Sequence, residues 1–264
     1  MHVWLKQFIQ RELITIKKLF WNHLNSICRK VAPFLDKIQE YLSFRKGCIF
    51  LDPHLFGIMG REPKFPRHCF SDYTHQLYFD ALISKPKLIV ELGTDYGVST
   101  RVLLAAAENI GATLLSIDIK DCSGIDINEK YKKKWYFEQC DDVYFAQHKF
   151  DHWKSNQGIE GKIDFLFIDT SHLYDHTVQE IHVWFPKLSD HATVIFHDTN
   201  VRTFYRRHDS SFGIGWNNNR GVIRAIEEYL KTSLDEKVDF VGCVQGWAIK
   251  HNPLCVGYTI MKRI

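Results

Sequence analysis

The chain has 264 residues, 45% of them hydrophobic and 25% charged, enough to bury a full core and to exclude a natively disordered class. Its 34 basic and 31 acidic side chains leave a net charge of +3, which gives no reason to expect a nucleic-acid partner. Seven cysteines stand singly with no CxxC pair, a usage that suits reduced thiols in a cytoplasm-like compartment and argues against a cysteine zinc site.

In chain order, apolar residues first recur with helical spacing from Val3 to about Leu42, and Pro33 divides this run into two predicted helices. Residues 1–33 carry six Lys or Arg against the single acid Glu12, so the polar face is basic. Two readings stand for it: helices packed on the domain or on a second subunit of a homo-oligomer, or an interfacial helix making peripheral contact with an anionic membrane. No apolar run reaches membrane-spanning length, and Lys6 and Arg11 interrupt any signal-peptide core, so a cytoplasmic protein is expected. Residues 1–72 are assigned to N-terminal helices and a Pro- and Gly-containing connector, and 73–264 to the main domain.

That domain opens with a predicted helix over 73–84 and continues with strands at 88–92, 113–119, 143–148, 163–169 and 192–198. Each is a β-branched or aromatic run bounded by turn or charged residues. Helices are predicted at 174–188, where Val178, Ile181, Phe185 and Leu188 form one stripe, and at 222–230. Strands at 238–244 and 257–262 close the chain without a helix between them. The alternation predicts an α/β fold: a doubly wound, Rossmann-like seven-stranded sheet, mostly parallel with an antiparallel C-terminal strand, preceded by N-terminal helices.

The first strand runs into "VELGTDYGVST", at the position where open α/β sheets bind ligands. Gly93 and Gly97 let the backbone turn and approach a ligand, and Ser99 is expected to cap the next helix. The glycines are spaced G-x-x-x-G rather than G-x-G-x-x-G, and Glu91 precedes them; a carboxylate there repels a pyrophosphate and suits a positively charged cofactor. Asp118, ending the second strand, can accept both hydroxyls of a ribose or can be a solvated strand-end acid.

These residues resemble the class I S-adenosylmethionine-dependent methyltransferases: "VELGTDYGVST" matches their acid-x-Gly-x-x-x-Gly-x-Ser/Thr signature and "LLSIDI" their ribose strand. The resemblance covers about residues 75–264. It implies a cofactor site formed by Glu91, Gly93, Thr94, Gly97 and Ser99, with Glu91 and Gly93 near the methionine end and Asp118 on the ribose. Phe150 and Asp151, in what reads as a third strand, are then candidates for the adenine end.

"FLFIDTSHLYD" and "TVIFHDTN" set Asp169 and His172 at the end of the fourth strand and His197 and Asp198 at the end of the fifth, on the same rim. Two carboxylates and an imidazole converging on one cleft can hold a hard divalent ion, most naturally magnesium. Alternatively Asp169 caps a helix and His197 is a satisfied core histidine. Here the chain resembles metal-dependent O-methyltransferases of the macrolide-sugar methyltransferase and cephalosporin hydroxylase-like group. That likeness implies a divalent ion on Asp169, His197 and Asp198 and a general base in His172, with His197 standing where the antibiotic-sugar enzymes usually have an acid. It further implies O-methylation of a small-molecule hydroxyl, on a sugar or a specialised metabolite. The segment 199–221 holds Arg202, Arg206, Arg207 and Arg220 with four aromatics and is read as a substrate lid hinged at Gly213 and Gly215. Two rival readings are an idle methyltransferase-like module docking through its basic N-terminus and an NAD-dependent oxidoreductase, the latter disfavoured by the glycine spacing.

Overall fold

Leu88–Leu92 is buried at every position, as a strand covered on both faces must be, and it forms the central strand β1. The computed structural model describes residues 73–206, 212–214 and 216–264, all within the unit Pro63–Ile264. The predicted N-terminal helices and the basic face of residues 1–33 lie outside the described residues.

Parallel to β1 on either side run β2 (Thr113–Asp118) and β4 (Ile163–Ile168), with β3 (Trp135–Gln139) beyond β2 and β5 (Leu188–His197) beyond β4. Three antiparallel strands complete the sheet: β10 (Tyr258–Arg263) on β5, then β9 (Trp247–Asn252) and β8 (Phe240–Val244). The order β3-β2-β1-β4-β5-β10-β9-β8 makes eight strands, one more than expected. The addition is β9. Its residues are alternately buried, but one of the buried positions is His251, which breaks the apolar alternation a reader looks for. His251 is a satisfied core histidine, facing the Glu236 carbonyl at 2.9 Å and the Thr259 hydroxyl at 2.8 Å.

Around the sheet lie α1 (Thr74–Ser84), α2 (Val98–Ile110), the short α3 (Glu129–Lys132), α4 (Asp142–His148), α5 (Phe150–Asn156), α6 (Tyr174–Trp184) and α7 (Gly221–Leu230). Alternation along β1 sorts its side chains between two layers. Leu88, Val90 and Leu92 join a core with Phe145, Phe150, Ile181, Trp184 and Ile226 of α4 to α7, while Glu91 points to the other face, where α1 packs on α2. Trp184 is fully buried with its ring edge-on to Phe150 at 5.3 Å; removing an aromatic of this size from water contributes about 4–6 kcal/mol.

A strand predicted at 143–148 is instead helix α4. Asp141 accepts the Tyr144 N–H at 2.8 Å as its N-cap, and Val143, Phe145 and Ala146 are buried along one side. The true third strand, β3, is an edge strand whose residues are only partly buried and follow a lysine-rich stretch, so it carried little apolar signal. The segment 199–221 is more than a loop: β6 (Phe204–Arg206) and β7 (Phe212–Ile214) pair as an antiparallel ribbon, with Gly213 opposite Tyr205.

From β1 the chain steps outward to β2 and β3, then returns to the far side of β1 for β4 and β5. This reversal opens a crevice at the carboxyl ends of β1 and β4.

Candidate active site

Gly93, with φ of 88°, turns the chain out of β1 and donates its N–H to the Ile117 carbonyl at 2.9 Å. A Cβ at this position would stand 2.0 Å from the Asp169 carbonyl oxygen, so only glycine lets the loops after β1 and β4 cross here. Gly97, at φ of 73°, begins α2 as its N-cap. Ser99 is therefore inside the helix and not its cap; its hydroxyl helps to hold Glu91.

Glu91 is fully buried and accepts hydrogen bonds from Thr100 at 2.8 Å and Ser116 at 2.6 Å, both on Oε2. Its Oε1 has no hydrogen-bond partner, and neither has the buried Thr94 hydroxyl. Burial pushes the Glu91 carboxyl up to about 7, against the pull of the Ser116, Ser99 and Thr100 hydroxyls. A carboxyl raised above its unfolded value contributes stability that is complete below about pH 4.5 and lost as pH rises through about 7. Thermal unfolding followed from pH 4.5 to 8 should show this decline in the wild type and a flatter profile in Glu91→Gln; parallel profiles would contradict it.

Asp118 ends β2 and fastens the glycine loop. Its Oδ2 accepts the Thr94 and Asp95 N–H groups at 2.8 and 2.9 Å, and its Oδ1 accepts that of Lys120 at 2.8 Å. Oδ2 thus uses both of its lone pairs on the loop, and Oδ1 keeps one with which to meet a ribose hydroxyl. Phe150 and Asp151 do not join this group. Phe150 is buried among Trp153 and Trp184 on α5, and Asp151 is an exposed partner of Lys187 at 3.3 Å. With β3 reassigned, the turn that reaches the rim on this side is Cys140–Asp142.

On the other side of the crevice the four predicted residues meet. The His172 Nε2 lies 2.9 Å from both Asp169 Oδ1 and Asp198 Oδ2. His197, almost wholly buried, faces Asp169 through Nδ1 at 3.2 Å, while its ring lies edge-on to Tyr73 at 5.7 Å. Ligand-capable atoms of Asp169, His172 and Asp198 all fall within 4.8 Å of one another, so the converging trio contains His172 where the sequence reading had His197. Burial alone would lower the His172 pKa, but the Asp198 charge and the hydrogen bonds that the imidazole donates to both carboxylates lift it to about 10. His197 is raised in the same way, burial being outweighed by Asp169 and Asp198. Burial acts to raise Asp169, yet the His197 charge and the two imidazole hydrogen bonds hold it far below the usual carboxylate range. His172 and Asp198 both have φ of 57°, a left-handed backbone that costs non-glycine residues about 1–2 kcal/mol and recurs at functional sites.

One residue that sequence reasoning missed secures both turns. The buried Asn218 donates through Nδ2 to the His172 carbonyl and the Asp198 carbonyl, each at 3.3 Å. Three residues on, Gly221 passes so close that a Cβ would stand 2.5 Å from the His172 carbonyl oxygen. An Asn in a long polar segment carries no signal in one dimension, because its partners lie 46 and 20 residues away. Asn218→Ala leaves two carbonyls without a donor, an expected loss of about 2 kcal/mol in urea unfolding, with kcat/KM falling further than cofactor affinity. Two arginines expected to face substrate are otherwise engaged: Arg220 bonds Glu236 and Glu227, and Arg202 bonds Asn200. Trp216 stays half-exposed with its ring 6.1 Å from that of His172.

Comparison with known proteins agrees with this geometry. Residues 90–199, which contain both halves of the crevice, match a family model described as a methyltransferase domain. Over 124 residues the chain is 29% identical to the uncharacterized protein y4gI of Sinorhizobium fredii, covering 45% of this chain and only 14% of that protein's length. In fold it is similar to the S-adenosylhomocysteine-bound methyltransferase PaMTH1 of Podospora anserina, at 14% identity and a TM-score of 0.56, covering 88% of this chain and 95% of that one. It is also similar to the O-methyltransferase TomG of Streptomyces achromogenes, involved in tomaymycin synthesis and solved with S-adenosylmethionine, at 12% identity and a TM-score of 0.52 over 86% and 96% of the two chains. Glycine loop, strand-end acid and strand order thus agree with the match of residues 90–199 to a methyltransferase domain, on a fold shared with methyltransferases solved with S-adenosylmethionine or S-adenosylhomocysteine.

Proposed function

We propose that this protein is an O-methyltransferase that moves the methyl group of S-adenosylmethionine to a hydroxyl of a small molecule, assisted by a divalent cation on the β4–β5 rim. The observation that carries the reading is the convergence of Asp169, His172 and Asp198 beside the glycine loop. When bound, S-adenosylmethionine supplies an electrophilic methyl group on a sulfonium centre. The chain's residues fit it. Glycines open the loop, Asp118 Oδ1 keeps a lone pair for a ribose, and the buried Glu91 carboxyl, whose Oε1 has no hydrogen bond, stands directly before the glycine turn.

The rim fits a cation as well, because two carboxylates and an imidazole give a mixed oxygen and nitrogen donor set in a buried place. An ion there would supply Lewis acidity that lowers the pKa of a substrate hydroxyl. We assign Asp169 and Asp198 as its anionic donors and His172 as the third. Ligation needs the neutral imidazole, and a dication facing both carboxylates would displace the proton that they hold on His172 Nε2 at 2.9 Å; the same neutral imidazole is what a general base requires. His197 then braces Asp169 from the buried side, and Asp198 Oδ1, which has no hydrogen bond, is available to take the hydroxyl proton. Trp216, half-exposed with its ring 6.1 Å from that of His172, suits a ring-shaped substrate such as a sugar.

Calorimetry with S-adenosylhomocysteine should give saturable binding, lost or weakened at least tenfold in Asp118→Ala. Absence of binding at millimolar ligand would remove the cofactor half of the proposal. Methyl transfer to a panel of hydroxylated acceptors should stop on chelation and resume with added Mg2+ or Mn2+; transfer indifferent to EDTA would remove the ion.

A further inference from the structure

A second cluster lies on the turn after β3, beside the crevice, and the methyl-transfer reading assigns its side chains no role. It lies where α4 packs on α6, and it consists of Asp141 and Asp142 at the start of α4 with His176 and Glu180, one turn apart on α6. His176 Nε2 is 3.0 Å from Asp142 Oδ1 and 3.5 Å from Glu180 Oε1. Ligand-capable atoms of Asp141, Asp142 and His176 lie within 4.8 Å of one another.

Acidic clusters are common without an ion, so the case rests on what is buried here. The Asp142 side chain is 7% exposed and the Glu180 side chain 0%, and each has an oxygen, Asp142 Oδ2 and Glu180 Oε2, with no hydrogen-bond partner. Among the described residues no lysine or arginine pairs with Asp141, Asp142 or Glu180. Three carboxylates thus gather round one imidazole; the Thr170 hydroxyl bonds Glu180 Oε1 at 2.6 Å, and the oxygens left over are costly to bury without partners. In the absence of an ion the balance must come from protons. The Asp142 hydrogen bond lifts His176 to about 9, and burial together with the Asp142 charge lifts Glu180 to about 8. A dication held by Asp141, Asp142 and His176 would displace the imidazole proton. His176 is about a quarter exposed and Asp141 is on the surface, so an ion has a way in.

We infer that Asp141, Asp142 and His176 form a second divalent-cation site that ties α4 to α6, with Glu180 behind it. One imidazole among carboxylates selects the manganese, iron and zinc class over magnesium, which prefers an all-oxygen shell.

Equilibrium dialysis of the full chain against Mn2+, with bound metal measured by atomic absorption, tests it. Two equivalents are expected for the wild type, one for His176→Gln, one for Asp198→Ala and none for the pair combined. One equivalent in the wild type that survives Asp198→Ala and disappears in His176→Gln would support this site and overturn the rim ion. Equal binding by wild type and His176→Gln would overturn the inference. Should His176→Gln fail to fold, judged by S-adenosylhomocysteine binding, anomalous scattering from wild-type crystals grown in excess Mn2+ decides. A peak between Asp142 and His176 is expected, and none would overturn the site.

Discussion

Asp198→Asn is expected to lower kcat/KM for methyl transfer by about 10²–10³-fold while leaving S-adenosylhomocysteine affinity within about threefold, the loss typical of removing one electrostatic stabiliser from an active site. The substitution is chosen for its backbone. Asp198 sits at φ of 57°, where alanine would add a left-handed strain of about 1 kcal/mol and asparagine adds almost none. Shape and fold are therefore kept and charge alone is removed. Asp198 touches both His172 and His197 and no residue of the glycine loop, which is why the effect should fall on turnover and not on cofactor binding. Steady-state kinetics paired with calorimetry checks the split. Equal losses in kcat/KM and cofactor affinity would mean that the substitution disturbs the whole crevice, and unaltered kinetics would remove Asp198 from the chemistry.

The largest effect on stability is expected from Gly93→Ala. Two penalties add at that position: a left-handed backbone at φ of 88° and a Cβ placed 2.0 Å from a carbonyl oxygen that belongs to main chain and cannot rotate away. Together they should cost about 3–5 kcal/mol, or about 10 °C in Tm for a domain of this size, with loss of cofactor binding. Gly111→Ala is the control. It has a similar φ of 76° but nothing within 4 Å of its Cβ, so it should lose only about 1 kcal/mol. Urea unfolding of the two variants side by side isolates the crossing of the loops after β1 and β4 as the cause, and equal losses would dismiss it.

The central strands and the rim were readable in the sequence because their signals are local. Leu88–Leu92 and Ile163–Ile168 are apolar but for one buried acid each, Glu91 and Asp164, and break into Gly93 and Asp169 at their carboxyl ends; the resemblance of "VELGTDYGVST" to a known signature sits on such a break. What failed was decided by long-range contacts. β3 is a strand only because β2 offers it an edge, so its half-buried residues lost to the more apolar "VYFAQH" that follows, and Phe150 was carried to the wrong end of the molecule with it. His251 in β9 depends on Thr259 and Glu236 for its place in the core. Asn218, His176 and Glu180 matter through partners on other elements, which no periodicity announces. His172 and His197 were found, but which of them faces both carboxylates at 2.9 Å is a matter of ring orientation and could not be read from their order in the chain.

The backbone contact between the loops after β1 and β4 has one more consequence. The Asp169 N–H is bound to the Leu92 carbonyl at 2.8 Å and Gly93 lies against the Asp169 carbonyl, leaving no slack between the cofactor loop and the rim aspartate. A ligand that shifts one must do work on the other. The two occupants of the crevice are then joined by thermodynamic linkage, and by whatever factor the cofactor changes affinity for an ion or acceptor at Asp169, that occupant changes affinity for the cofactor by the same factor.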